Sequence, residues 1–343
     1  MYLTELDKNE ISELVKSFNE PVFRAKQVTE WLNRGARPQE MSNLPKQLRA
    51  SLSKIPYGGA SIWQTYVSKL DGTKKYLFRL EDGNVVEGVL MRYRYGNTLC
   101  ISTQVGCGMG CAFCASTLEG CVRDLLSGEM LSFIYEVEKS EPIPEGSGRV
   151  VTNVVLMGSG EPLANYDNVV RFLKRVTDAE GINISPRNIS LSTCGLVPRI
   201  ETLPDDAPHV TLSLSLHAAS NEKRSKIMPI NKAYPLELLI PAAKRYSERT
   251  GRRVIFEYAL IGGFNDSRED AKQLSELLRN MRCHVNLIPL NPVAERNLAG
   301  VSRKKAEEFC EWLDSLHISA TVRREMGSDI EGACGQLRRR VLE

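Results

Sequence analysis

From about residue 98 onward the chain repeats one pattern, and that pattern limits the folds open to it. Short runs rich in β-branched and apolar residues (TLCISTQV, VTNVVLMG, NISLST, VTLSLSLH, RVIFEYALIG, HVNLIPLN) are mostly separated by helical stretches. These are GEMLSFIYEVEKS, YDNVVRFLKRVTD, LELLIPAAKRYSER, REDAKQLSELLRNM and RKKAEEFCEWLDSL. Six βα units in succession predict an α/β fold with a parallel sheet, either doubly wound or curved towards a barrel. No sequence-level repeat accompanies the alternation. At 343 residues, 42% hydrophobic and 25% charged, the chain can bury one large core and carry a smaller appendage.

Residues 1–56 read as that appendage. NEISELVKSF has apolar spacing near 3.6 residues, and PVFRAKQVTEWLNRG opens with Pro21 and closes with Gly35. Residues 57–97 contain KKYLFRLEDGNVVEGVLMRY, a β-hairpin with Asp82-Gly83 as its turn. Alternation on its second arm puts Val85, Glu87, Val89 and Met91 on one face, so Glu87 stands among apolar neighbours. Residues 98–343 form the βα core.

The start, MYLTELDKNEISEL, lacks a basic-then-apolar secretory profile, and no window approaches the roughly 18 uninterrupted apolar residues of a membrane span. A cytoplasmic protein without membrane partners is expected. In that compartment nine cysteines point to metal or catalytic thiols and away from a disulfide framework. A net charge of +3 is close to neutral, so a nucleic-acid surface has to come from local clusters. The candidates are Arg252-Arg253, Arg303-Lys304-Lys305, Arg323-Arg324 and Arg338-Arg339-Arg340.

Parallel α/β sheets gather functional groups on loops at the carboxyl ends of their strands. Here the six strands are followed by the cysteine loop GCGMGCAFC, then GSGEP, STCG, SLH, GGFND and LNP. The first loop spaces Cys107, Cys111 and Cys114 as C-x3-C-x2-C. Three thiolates on one short segment can wrap a corner of a four-iron cluster and leave one iron open to chelate a small molecule. Zinc fits less well, because it prefers four tetrahedral ligands in paired knuckles and Cys121 supplies no such pairing. In GSGEP, Gly160 permits close backbone approach and Glu161 can accept hydrogen bonds from an ammonium group. Ser192, Ser215, His217 and Asn291 are further candidate donors and acceptors, although a histidine such as His217 more often satisfies the core. Cys194, Cys283 and Cys310 read as small buried hydrophobes, and a buried or incidental role is favoured for Cys121. Cys334 differs: Gly332 and Gly335 flank it, which suggests a mobile, exposed loop and a reactive thiol.

Taken in order, FRAKQVTEWL, CISTQVGCGMGCAFCAST, GSGEPLANYDNV, SLHA, RSKIMPIN, NLIPLNP and ACGQL resemble the RlmN/Cfr family of radical S-adenosylmethionine RNA methyltransferases. The resemblance spans nearly the whole chain. It implies a partial (β/α)6 radical SAM barrel with an N-terminal helical RNA-binding accessory domain and the hairpin extension. It implies one 4Fe-4S cluster bound by Cys107, Cys111 and Cys114 together with S-adenosylmethionine, and two S-adenosylmethionine molecules per turnover. Gly160, Glu161, Ser192, Ser215, Leu216, His217 and Asn291 match the family's S-adenosylmethionine contacts. Cys334 would take a methyl group from the first molecule; the second would be cleaved to a 5′-deoxyadenosyl radical that removes hydrogen from that S-methyl group. The methylene radical would add to adenine, and Cys100 would resolve the resulting tether through a transient disulfide. Glu87 matches the family's proton acceptor, and either Glu87 or Cys100 could take the ring proton.

The family methylates an adenine of 23S rRNA near the peptidyl transferase centre. Its housekeeping branch acts on carbon 2, and also on the adenine 3′ to the anticodon in some tRNAs; the resistance branch acts on carbon 8. QVGC, GEPLAN, IPLNP and VRRE look closer to the housekeeping pattern, while Ser159 departs from the methionine many relatives carry. The partners implied are 23S rRNA, tRNA and an external electron donor such as flavodoxin or ferredoxin, with a monomer expected. Two readings of other classes are an iron-sulfur redox protein and a zinc-bearing RNA-binding module. The first would need the cysteines but not the GSGEP, SLH and LNP loops at successive strand ends, and the second predicts a colourless protein containing zinc.

Overall fold

The computed structural model describes residues 2–337; the Arg338-Arg339-Arg340 cluster lies outside them. The first three helices, α1 (Lys8–Ser17), α2 (Phe23–Leu32) and α3 (Lys46–Leu52), pack around a small core of their own that includes Leu3, Val15, Val28, Met41 and Leu52. Helix α1 starts where it does because Asp7 accepts from the Glu10 amide while Glu10 accepts from the Asp7 amide.

A meander follows: β1 (Ala60–Val67), β2 (Lys74–Leu80) and β3 (Val85–Tyr93), each antiparallel to the next. The expected hairpin is β2–β3, and β1 is an additional strand. Its apolar residues do not report burial, since Trp63, Tyr66 and Val67 are exposed and the register slips between Ile62 and Gln64. Strand β3 is buried along both faces from Val85 to Met91, so its alternation marks no single inner face.

Strand β3 turns through Gly96 into β4 (Gly96–Ile101), again antiparallel. The sequence suggests one strand through Val105. The chain instead breaks at Ser102-Thr103, and β5 (Gln104–Gly106) pairs with β6 (Cys121–Asp124) in a separate two-stranded ribbon. The cysteine loop is the connection of this ribbon, and Cys121 lies exposed on β6.

The chain then alternates through α4 (Ser127–Ser140), β7 (Asn153–Leu156), α5 (Tyr166–Val176), β8 (Ile189–Thr193), α6 (Val197–Asp206), β9 (Thr211–Ser215), α7 (Asn221–Ile227) and α8 (Leu236–Thr250). It continues through β10 (Val254–Leu260), α9 (Arg268–Leu277), β11 (Cys283–Pro289), α10 (Arg303–Ser315) and β12 (Ala320–Val322). The large sheet runs β1-β2-β3-β4-β7-β8-β9-β10-β11-β12, parallel from β4 onward. Helix α7, of seven residues, and the three-residue β12 are too short to stand out in the sequence, and α6 is masked by Pro198 and Pro204. Met91 of β3 and Thr321 of β12 line the same cavity, so the sheet curls into a partial barrel. Among the described residues no helix is long and apolar enough to cross a membrane.

The β3–β4 turn is fixed by close approach. Gly96 has φ +129, and a Cβ there would lie 2.2 Å from Thr152 Oγ1. Gly96→Ala is therefore expected to cost roughly 2–4 kcal/mol of stability, read by urea denaturation. A loss below about 0.5 kcal/mol would show that the turn relaxes freely.

Candidate active site

The strand ends meet as the alternation predicts. Cys107, Cys111 and Cys114 line a cavity of about 900 Å³, including its open mouth, together with Gly160, Glu161, Ser192, Ser215, His217, Asn291 and Cys334. That size suits a small-molecule site of roughly 300–1,000 Å³.

Close packing shapes the second loop. Gly160 has φ +106, and a Cβ there would lie 2.7 Å from Gln104 Cβ, so the GSGEP backbone sits against β5. Gln104 holds this corner: its Oε1 accepts from the Glu161 amide at 2.9 Å and its Nε2 donates to Asp124 at 2.7 Å. Ser159 is buried behind the cavity wall, and its carbonyl accepts from the Thr103 amide at 2.8 Å. Ser159 is therefore not a lining residue.

Glu161 is 4% exposed and accepts from the Leu163 and Cys194 amides at 3.0 and 2.7 Å. Among the described residues no cationic side chain forms an ion pair with it. Burial raises its carboxyl above the ordinary range, against the pull of those amides. A buried carboxylate facing a cavity without a protein cation is suited to a ligand ammonium group. The thiols point the same way. Burial pushes Cys107 up to about 12 and raises Cys111 and Cys114 as well. Only a bound cation such as iron would make all three thiolates at neutral pH, so the donor set fits a cluster.

His217 takes a left-handed conformation, φ +58, and its Nδ1 accepts from the Ala259 amide at 2.9 Å. Nε2 therefore carries the proton. Burial, helped by Arg224, lowers its pKa to about 3, so the ring stays neutral. Phe113 meets it edge-on with centroids 4.8 Å apart. Ser192 Oγ and Ser215 Oγ lie 3.4 Å apart across neighbouring strands. Leu216 does not reach the cavity: its side chain joins the core, its N–H donates to Glu257 O, and its carbonyl accepts from Arg224. The fifth loop does not line the cavity either; Asn265 instead braces His217 by donating to the His217 carbonyl at 2.7 Å.

The Cys334 segment is neither exposed nor loose. Its main chain is tied to the cluster loop: Gly335 O accepts from the Ala115 amide at 2.8 Å and Leu337 O from Ser116 Oγ at 2.6 Å. Asn291 Nδ2 donates to Cys334 O at 3.0 Å. Cys334 is half-buried and also lines a neighbouring cavity of about 550 Å³ that contains Cys100. Burial pushes the Cys100 thiol up to about 12. Glu87 lines neither cavity; it is fully buried 3.5 Å from Lys75 Nζ, which also donates to Glu331 O in the Cys334 segment.

Several contributors are not legible as site residues in the sequence. Arg224 is fully buried and donates to Cys194 O, Ser215 O, Leu216 O and Asn231 Oδ1 at 2.7, 3.2, 3.1 and 2.9 Å. Glu257 and Arg323 line the cavity, 3.9 Å apart. Glu257 shares the signal of Glu87, an acid within an apolar strand. Arg323 departs from the expected phosphate-binding pair: its side chain is only 20% exposed and points inward, while Arg324 is exposed. Cys194 is buried, as expected, but it also lines the cavity.

The radical SAM superfamily model matches residues 101–275, and the ribosomal RNA large subunit methyltransferase N-terminal domain model matches residues 1–57. A probable dual-specificity RNA methyltransferase RlmN of Alkaliphilus oremlandii is 49% identical over 99% of this chain and 98% of its own length. The chain belongs to the RlmN family of the radical SAM superfamily. A second RlmN, from Clostridium perfringens, is 49% identical over 97% of this chain and 95% of its own length. The crystal structure of a radical SAM methyltransferase from Sphaerobacter thermophilus superposes with TM-score 0.92 at 41% identity, covering 98% of this chain and 99% of that one. RlmN membership makes this chain an S-adenosylmethionine-dependent methyltransferase, and the radical SAM fold implies a 4Fe-4S cluster.

Two outcomes test the geometry. Arg224→Met removes the donor shared by four acceptors, of which Leu216 O keeps the Ala218 amide, and should cost on the order of 3 kcal/mol by urea denaturation; a loss under about 1 kcal/mol would contradict the bracing role. His217 takes up a proton near pH 6.5 when unfolded but near 3 when folded. Its share of stability is therefore complete above pH 6.5 and lost as pH falls towards 3. His217→Asn should flatten the stability profile between roughly pH 4 and 6 by about one proton, and an unchanged slope would refute the burial effect.

Proposed function

We propose that the protein methylates carbon 2 of an adenine in 23S rRNA near the peptidyl transferase centre, and the adenine 3′ to the anticodon in some tRNAs, with Cys334 as the carrier of the methyl group. The observation behind this reading is that Cys334 borders both cavities, the one with the three cluster thiols and the one with Cys100. A group that collects carbon on one side and delivers it on the other must border both. The relatives named as dual-specificity RNA methyltransferases support RNA as the substrate.

In this reading Cys107, Cys111 and Cys114 hold the 4Fe-4S cluster. Gly160, Glu161, Ser192, Ser215, His217 and Asn291 line the space for S-adenosylmethionine, used twice per turnover. Cluster and S-adenosylmethionine together supply a hydrogen-abstracting carbon radical, drawing on an electron donor of the flavodoxin or ferredoxin type. Glu161 accepts from the ligand ammonium, and the His217 Nε2–H donates to a ligand acceptor. Cys334 acts as nucleophile towards the first methyl group: its carbon–sulfur bond forms as the methyl–sulfonium bond of S-adenosylmethionine breaks, S-adenosylhomocysteine leaves, and the thiol proton passes to solvent. Such chemistry reaches carbon 2, whose hydrogen is not acidic enough for polar methyl transfer. Once the adduct has given its odd electron back to the one-electron carrier, release of the tethered base needs a second sulfur: Cys100 attacks the Cys334 sulfur, the sulfur–methylene bond breaks as the disulfide forms, and the methylene carbon takes the electron pair and a proton to become the methyl group. Buried and protonated at neutral pH, Cys100 must first lose its proton. The proton leaving the ring passes to Cys100 or to Glu87.

Anaerobic incubation with reductant, S-adenosylmethionine and unmodified 23S rRNA or tRNA, followed by nucleoside mass spectrometry, should give 2-methyladenosine. 8-Methyladenosine would move the activity to carbon 8, and neither product with intact iron would remove the substrate assignment. Cys334→Ala should keep its iron yet yield no product; any product from it would sink the carrier role. Cys100→Ala should accumulate protein crosslinked to RNA through Cys334, and absence of that adduct removes Cys100 from the resolving role.

A further inference from the structure

The barrel has a second opening, at the end where its strands begin. A cavity of about 1080 Å³, including its open mouth, is lined there by polar side chains such as Asn153, Ser190, Asn286 and Thr321. It shares Met157, Glu257 and Arg323 with the cavity of the cluster thiols, and Met91 and Arg324 with the Cys100–Cys334 cavity. The chamber around Cys334 is thus bounded by the cofactor residues on one side and by this lower opening on the other.

Its rim has a distinctive composition. Tyr93 and Tyr95 stack with ring centroids 5.0 Å apart and planes 7° from parallel, and Tyr95 is 74% exposed. Both lie on the tight turn that Gly96 presses against Thr152, so the platform is held in place. Arg187 and Arg324 line the same opening and are exposed. Neither forms an ion pair or a side-chain hydrogen bond among the described residues. The other basic clusters differ. On α10, Arg303 and Lys305 are paired with Glu307 and Glu308. Arg252 is turned onto Thr211.

An exposed aromatic ring beside unpaired guanidinium groups is the chemistry that binds single-stranded nucleic acid, through base stacking and phosphate contacts. Resting on the methyltransferase reading above, we infer that the lower opening is the entrance for RNA. The target adenine turns out of its strand and enters the polar lumen towards Cys334. A flanking base stacks on Tyr95, and flanking phosphates meet Arg187 and Arg324. Extrusion of this kind is how enzymes reach a ring atom shielded by stacking. Approach from this end leaves the cofactor side undisturbed, so cofactor and base meet Cys334 from opposite directions.

The test measures three things on the cluster-loaded protein. These are anisotropy of a labelled RNA hairpin with an unpaired adenine, RNA methylation kinetics, and methylation of Cys334 by S-adenosylmethionine without RNA, read by peptide mass. Tyr95→Ala should weaken RNA binding and raise KM about five- to hundred-fold, the range of one lost base stack, while Tyr95→Trp restores both. Arg187→Glu and Arg324→Glu should each lower the salt slope of RNA binding by about one. Tyr95→Ala, Tyr95→Trp and Arg187→Glu, none of which touches the Cys100–Cys334 cavity, should methylate Cys334 without RNA as the parent does. Lys304→Glu, on the outer face of α10, should leave RNA binding unchanged. RNA binding and KM in Tyr95→Ala equal to those of the parent would overturn the entrance, as would an equal loss in Lys304→Glu. If the parent itself methylates no RNA, the methyltransferase reading falls; if it does while the rim variants match it, the entrance alone falls.

Discussion

The guanidinium of Arg224 is the interaction on which the cofactor side of the barrel depends. Fully buried and, among the described residues, without a carboxylate partner, it is compensated by dipoles: three main-chain carbonyls and the Asn231 amide oxygen. Those carbonyls belong to the ends of the paired strands β8 and β9, beyond their last ladder partners Thr193 and Leu214. Asn231 in turn donates to Asn221 and Ser225, and Asn221 Oδ1 accepts from the Leu236 amide at the start of α8. One cation thereby fixes two strand ends and the helix that covers them. Burial lowers the Arg224 pKa to about 10, which still leaves it charged at neutral pH.

Opposite charge completes the arrangement. Cys194 offers its carbonyl to Arg224 and its amide to Glu161, so a single residue bridges the structural cation and the ligand-facing anion. Beside the Glu257–Arg323 pair, burial holds the three cluster-loop thiols protonated and His217 neutral. Charge enters with the ligands. A cavity of this kind favours a positively charged cluster core and an ammonium group over anions, because only those settle Glu161 and draw the thiols into thiolates.

Much of this was legible in the sequence, and the reasons for the rest are specific. Alternating strands and helices, the three spaced cysteines and the polar loops at strand ends are local signals, and they prescribed a parallel α/β sheet and the cavity rim, while the choice of a partial barrel over a doubly wound sheet came from the family resemblance. The β5–β6 ribbon was hidden because QVG reads as a continuation of β4; only the path of the chain separates them. Strand β1 was hidden because its aromatic residues face solvent. Arg224 and Arg323 look like ordinary surface cations in any linear reading, and what turns them inward is the curl of the sheet. The same curl removes Leu216 from the cavity while leaving its neighbours Ser215 and His217 there. Cys334 could be singled out from its flanking glycines, but those glycines suggested a mobile, exposed loop, and the ties that hold its segment were not legible.

That manner of holding determines how the sulfur can move. Three of the ties at the Cys334 segment, through Cys334 O, Gly335 O and Leu337 O, are made to carbonyl oxygens. The backbone is moored while the thiol has no side-chain tie of its own among the described residues. Because Cys334 already lines both cavities, rotation about its Cα–Cβ bond turns the sulfur from one chamber towards the other without breaking these main-chain ties. The segment behaves as a fixed axle with a turning arm, and exchange between the two chambers requires no loop to open.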